Sequence, residues 1–187
     1  GVMVAAPRLH RLFARSFPTW TMAGDISELS VRDFDAQIFA GDLGQYIRGL
    51  GTPSYLVPDR HEVMANRKRY LGLGFTRLVG FAWRGGNLET PEERRRAIPL
   101  PMLSQLFSFR DIGFVCLQHG VTKRERDFLS THSNVIFDDA IDPLGELDRL
   151  ASQIAAMDMV VTGASANTHF AAALGVRVVA LLPYIAH

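Results

Sequence analysis

The chain has 187 residues, 48% hydrophobic and 21% charged, with a formal net charge of +1. That balance suits a soluble globular protein with room for one large domain, or for one domain and part of a second. It excludes a globally basic nucleic-acid binder: the clusters Arg67–Arg69 and Arg94–Arg96 are diluted by Glu62, Glu92 and Glu93 and carry no interleaved aromatics.

In chain order, Val2–Ala5 and Ala36–Ala40 read as strands and Pro7–Arg15 and Leu43–Leu50 as helices. Together they suggest the tail end of an α/β lobe over residues 1–57, whose beginning is expected to lie before residue 1. Gly51, Pro53 and Pro58 mark a joint, and residues 58–76 form a linker whose Arg60–Leu71 segment predicts a charged helix. From residue 77 to 187 the pattern is regular. Apolar runs at Leu78–Trp83, Ile112–Leu117, Val135–Phe137, Met157–Thr162 and Val176–Leu182 alternate with helix-like segments at Pro99–Phe109, Thr122–Thr131, Leu144–Ala156 and Asn167–Leu174. Continuous apolar strands separated by helices predict a doubly wound α/β domain with a parallel sheet covered on both faces. The apolar stretch Phe170–Ala186 is broken by Arg177 and Pro183, so no membrane span is expected. The lone Cys116, inside an apolar run, fits a small buried hydrophobe and a reducing, cytoplasmic setting.

A doubly wound sheet ordered 3-2-1-4-5 places its ligand crevice between the exits of strands 1 and 4. Here those exits begin WRGGN and TGASANTH. Gly85 and Gly86 permit close backbone approach, Asn87 adds an amide, and Arg84 and Arg94–Arg96 supply charge suited to phosphate. A solvated loop pairing those arginines with Glu89, Glu92 and Glu93 is the plainer alternative. In the second exit, Ser165 is placed to cap a helix whose first amides, at Asn167 and Thr168, would face an anion. His169 stands in the first turn, and Gln118 and His119 end the second strand beside the same face. Asp138, Asp139 and Asp142 fit a helix-start loop better than a metal site, and no zinc spacing joins the six histidines and one cysteine. GxSxG, Walker-type and GxGxxG patterns are absent.

The successive blocks LVGFAWRGGN, RRRAIPLPMLSQLF, GFVCLQHG and IAAMDMVVTGASANTHFAAALGVRVVALLP resemble the C-terminal lobe of bacterial GT-B glycosyltransferases. These enzymes are often attached to tetratricopeptide (TPR) repeats and are related to lipopolysaccharide heptosyltransferases. The resemblance covers about residues 78–183. Its most specific part is S-x-D-T-x-x-x-H-x-A-x-A-x-G, against which Thr162, Ser165, His169, Ala171, Ala173 and Gly175 align. Ala164 stands where the family carries aspartate, and the chain stops before the family's usual C-terminal segment.

The resemblance implies a Rossmann-like lobe binding a nucleotide-diphosphate sugar for transfer to a glycan, lipid or protein acceptor. It assigns Arg96 to the phosphates, and matches Asn87 and Gln118 to the family's loop asparagine and strand-end glutamine. It implies no metal and no cofactor, since helix N-termini and basic side chains offset the leaving-group charge. The catalytic base in such enzymes commonly belongs to the other lobe, and none is assigned here. A non-catalytic scaffold lobe beside TPR repeats is the alternative, with a sugar-nucleotide epimerase or hydrolase behind it.

Overall fold

The computed structural model describes residues 1–30, 34–38, 54–85 and 97–182. Its centre is a five-stranded, all-parallel sheet in the order β5-β4-β3-β6-β7. The strands are β3 (Arg77–Ala82), β4 (Ile112–Cys116), β5 (Val135–Ile136), β6 (Met159–Gly163) and β7 (Arg177–Leu181). In terms of the five apolar runs this is the order 3-2-1-4-5, so β3 and β6 flank the point where the winding reverses.

Alternate residues along each strand feed two cores. On one face Leu78, Val115, Leu117 and Val160 pack with Tyr70 of α2 (Arg60–Leu71), with Leu147, Leu150 and Ile154 of α5 (Leu147–Ala155), and with Ala171 of α6 (Ala166–Ala173). On the other, Val79, Phe81, Phe114 and Val161 meet Leu103 of α3 (Leu100–Leu103), Phe107, and Leu129 of α4 (Lys123–Leu129). Phe107 sits edge-on to both Phe81 and Phe114, with ring centroids 5.2 Å apart in each pair. Such pairs add about 0.5–1.5 kcal/mol each to the burial itself. Gly80 keeps the sheet centre thin: a Cβ there would lie 2.5 Å from a Leu117 methyl carbon.

The expected helix Pro99–Phe109 is broken into α3 and a short 3-10 turn at Leu106–Ser108. The Ser104 and Ser108 hydroxyls donate to the carbonyls of Pro101 and Gln105, at 2.6 and 2.7 Å, offering the backbone an alternative to continued helix. The buried Asn134 amide donates to the carbonyls of Phe107, Phe109 and Ile112, tying this turn to the start of β4. The apolar stripe expected on Leu144–Ala156 forms from Leu147 onward, and Leu144 itself is exposed.

Toward the N-terminus, β1 (Val2–Val4) pairs in parallel with β2 (Thr21–Ala23), and α1 (His10–Ser16) lies between them in sequence. β2 was not expected: three residues are too short for alternation to register. Of the strand expected over Ala36–Ala40, residues 36–38 have no regular structure. Its last two residues and the helix expected over Leu43–Leu50 lie outside the described residues. Leu12 of α1 is fully buried with Leu56, Ala151 and Ala173, and Arg15 forks onto Asp148 of α5 at 2.7 and 2.9 Å. α2 is pinned as well. Arg67 pairs with Asp158 at 2.8 Å, and the second Asp158 oxygen accepts the Leu78 N–H at 2.8 Å.

Candidate functional site

The exits of β3 and β6 are adjacent. A Cβ built on Gly85 would lie 3.1 Å from the Ala164 carbonyl oxygen, so glycine permits the closest approach between the two loops. Gln118, 5% exposed, clasps the β3 exit to that of β4: its Oε1 accepts the N–H groups of Trp83 and Arg84 at 3.1 and 3.0 Å. Its Nε2 donates to the His119 carbonyl at 3.1 Å. The Asn167 side chain in turn donates to the Leu117 carbonyl at 3.2 Å, tying the first turn of α6 to the same strand end. Three neighbouring exits are thus stitched together by two buried amides. The Ile98 N–H donates to the Trp83 carbonyl at 2.7 Å where the chain re-enters the described residues after the β3 exit.

Arg84 is held rather than free. Its side chain is 7% exposed, and the guanidinium donates to the Gly120 carbonyl at 2.7 Å and to Glu125 Oε2 at 2.9 Å. Glu125 also accepts from the Trp83 indole at 3.0 Å and from the Thr122 N–H at 2.8 Å, closing a capping box on α4. Burial pushes the Glu125 carboxyl up, but the bonds from Arg84, Thr122 and Trp83 outweigh it and hold the group at about 2. Glu125 was missed in sequence, although T-K-R-E at 122–125 is a capping-box signature. His119 is held below its ordinary value by burial and by the Arg84 charge, so it stays neutral near pH 7.

At the start of α6, Ser165 occupies the N-cap position but makes no side-chain cap bond. Its hydroxyl instead meets Thr162 Oγ1 at 3.0 Å. The expected cap is therefore corrected: a hydroxyl partner three residues back competes for the serine. The Thr168 N–H is also taken, donating to the Ser165 carbonyl at 3.1 Å, and its hydroxyl donates to the Gly163 carbonyl at 2.9 Å. The Ala166 and Asn167 N–H groups have no partner among the described residues and lie at the helix's positive end. His169 is exposed in the first turn. Gly86, Asn87 and Arg96 lie outside the described residues.

Beside these exits, between the ends of β4 and β5, a cleft of about 290 Å³ is lined by residues including Cys116, Gln118, His119, Phe137, Asp138 and Gln153. Burial pushes the Cys116 thiol up to about 12, so it lines the cleft as a neutral, inert group. Asp138 accepts from Arg69 and from the Tyr70 hydroxyl, and Asp139 pairs with Arg126 at 2.6 Å, whose guanidinium lies over the Phe137 ring. Asp142 accepts the Leu144 N–H at 2.9 Å. The three aspartates thus face separate partners. Among the described residues no helix is long and apolar enough to cross a membrane.

No protein-family model matches the chain, and no curated protein matches it significantly. Among solved structures, it is similar to the glycosyl transferase family 9 protein of Veillonella parvula, with 16% sequence identity and a TM-score of 0.53. The match covers 91% of this chain and 49% of that one, so the chain spans about half the length of this structural relative. At that identity the likeness is one of fold: the five-stranded parallel sheet with its helices has the architecture of a glycosyltransferase Rossmann-like domain.

Proposed function

We propose that the chain binds a nucleoside-diphosphate sugar at the junction of the β3 and β6 exits and contributes this site to glycosyl transfer. The observation that carries the reading is the contact of Gly85 with the Ala164 carbonyl, at the point where the order of a doubly wound sheet reverses. Beside that contact, the Ala166 and Asn167 amides at the α6 N-terminus, which have no partner among the described residues, favour a diphosphate. The cleft between the β4 and β5 exits lies two strand spacings away, about 10 Å. A base placed there would leave the ribose to span the interval.

In this reading the fixed amides and Arg96 stabilise the leaving diphosphate without a metal, and His169 is the exposed polar side chain of the helix's first turn. Arg84 and Gln118 act differently. Their polar groups are spent on Glu125, Gly120, Trp83 and His119, so they hold the crevice in shape rather than touch the ligand. The acceptor and the base that deprotonates it belong to surfaces beyond the crevice. The test is calorimetric titration of the chain with nucleoside diphosphates, joined to an assay for nucleoside diphosphate released from nucleotide sugars. Saturable binding supports the site, and Arg96→Ala should weaken it about tenfold or more, the worth of a charge-assisted contact. No binding at millimolar concentration defeats the site.

A second reading, a binding lobe without turnover, is favoured by Ala164 where the resembling family carries aspartate, and by the engagement of Arg84 with Glu125. Binding without diphosphate release would select it. A TPR-bearing partner segment belongs to the resemblance alone.

A further inference from the structure

The cleft beside the crevice contains a hydrogen-bond chain whose direction follows from donor and acceptor counts. Asp138, with a side chain 5% exposed, accepts from Arg69 and from the Tyr70 hydroxyl. Arginine only donates and a carboxylate only accepts, so the single Tyr70 proton is committed to Asp138. Burial and the adjacent carboxylate push the Tyr70 hydroxyl far up, so it keeps that proton. Toward Gln153 the Tyr70 oxygen can therefore only accept. It takes the Gln153 Nε2–H at 2.9 Å, which turns Gln153 Oε1 away from the chain. Gln153 is 3% exposed and lines the cleft, and among the described residues nothing donates to that oxygen.

We propose that Gln153 Oε1 is the cleft's acceptor for an amino group on the ligand's ring. The site thereby selects nucleobases bearing an exocyclic amine over their oxo counterparts. This rests on reading the neighbouring crevice as a nucleotide-sugar site. A carbonyl that opens onto a cleft without a donor gains a partner from an amine and meets a second acceptor in an oxo group. A free glutamine would escape that conflict by flipping its amide. Here the flip is blocked, because it would set Gln153 Oε1 against a Tyr70 oxygen that has no proton left to give. Tyr70 and Asp138 are thus positioning residues that act through Gln153.

The experiment is calorimetric titration of the chain with ADP against IDP and with CDP against UDP, on the wild type, Tyr70→Phe and Gln153→Met. For the pair that binds more tightly, the wild type should prefer the amino form by about tenfold or more. Tyr70→Phe frees the amide to flip, so the preference should fall toward unity through a gain for the oxo form. Gln153→Met removes the acceptor at nearly constant volume and should abolish the preference, whether or not Tyr70→Phe folds. Equal wild-type affinities for the amino and oxo forms would overturn this inference while leaving the crevice reading intact. Failure of every nucleoside diphosphate to bind would overturn the crevice reading and this inference with it. A full preference retained in Gln153→Met would assign the selectivity elsewhere and overturn the inference alone.

Discussion

Glu125→Ala should be among the most damaging single truncations at the β3 exit. The substitution removes the carboxylate that faces Arg84 at 2.9 Å, the Trp83 indole at 3.0 Å and the Thr122 N–H at 2.8 Å. Loss of the capping box alone costs about 1 kcal/mol. The larger part comes from Arg84, only 7% exposed, whose charge would keep the Gly120 carbonyl as a partner but lose its counter-ion. Breaking a buried pair by removing one partner costs about 3–5 kcal/mol, and the 22% exposure of the Glu125 side chain moves the expected total toward the lower end of that range. A loss of about 3–4 kcal/mol corresponds to a Tm lower by about 6–16 °C for a chain of this size. Urea unfolding followed by far-UV circular dichroism and by tryptophan fluorescence measures it. Glu125→Gln, which keeps an acceptor for Thr122 and Trp83, should cost less than half as much. A loss below about 1 kcal/mol for the alanine variant would refute the view that Arg84 depends on this carboxylate.

The same carboxylate gives a pH dependence. Its folded value of about 2 lies below the ordinary glutamate value of about 4.3, so its contribution is complete above that value and is lost as the pH falls from about 4.5 toward 2. Acid titration of stability should therefore be shallower in Glu125→Gln than in the wild type across that window. Asp158 adds in the same direction: burial raises its carboxyl, but the Leu78 N–H and Arg67 lower it further, and Asp158→Asn should cost about 1–3 kcal/mol in urea unfolding. Gly85→Val should leave the far-UV spectrum unchanged yet weaken nucleoside diphosphate binding about tenfold or more, because its Cβ would already lie 3.1 Å from the Ala164 carbonyl oxygen and its methyls would fill the junction. Arg15→Ala should lower stability by about 1–3 kcal/mol through loss of its fork on Asp148, with less change in nucleotide affinity than Gly85→Val.

The second half of the fold was legible because its strands are buried on both faces and read as unbroken apolar runs. Each of the five runs after residue 76 contains a strand, with ends displaced by at most two residues, and the sheet has the expected order. What local pattern could not reveal was partner choice. Ser165 was identifiable as an N-cap residue, but its preference for Thr162 is a matter of hydroxyl geometry. Arg84 was read as a phosphate ligand because its charge was visible, whereas its partner Glu125 lies 41 residues away. The Tyr70–Asp138–Gln153 chain joins residues 68 and 83 positions apart, and nothing in the surrounding periodicity marks them as neighbours. Gln153 is one of three polar residues that α5 buries, with Asp148 and Ser152, so its place between Ala151 and Ile154 did not single it out.

The most direct test of the crevice is a crystal structure of the chain soaked with a saturating nucleoside diphosphate. Diphosphate density is expected against the Gly85–Ala164 contact, within hydrogen-bond reach of the Ala166 and Asn167 amides, with the base toward Gln118 and Phe137. Density bound elsewhere, or an empty crevice at saturation, would contradict the crevice reading.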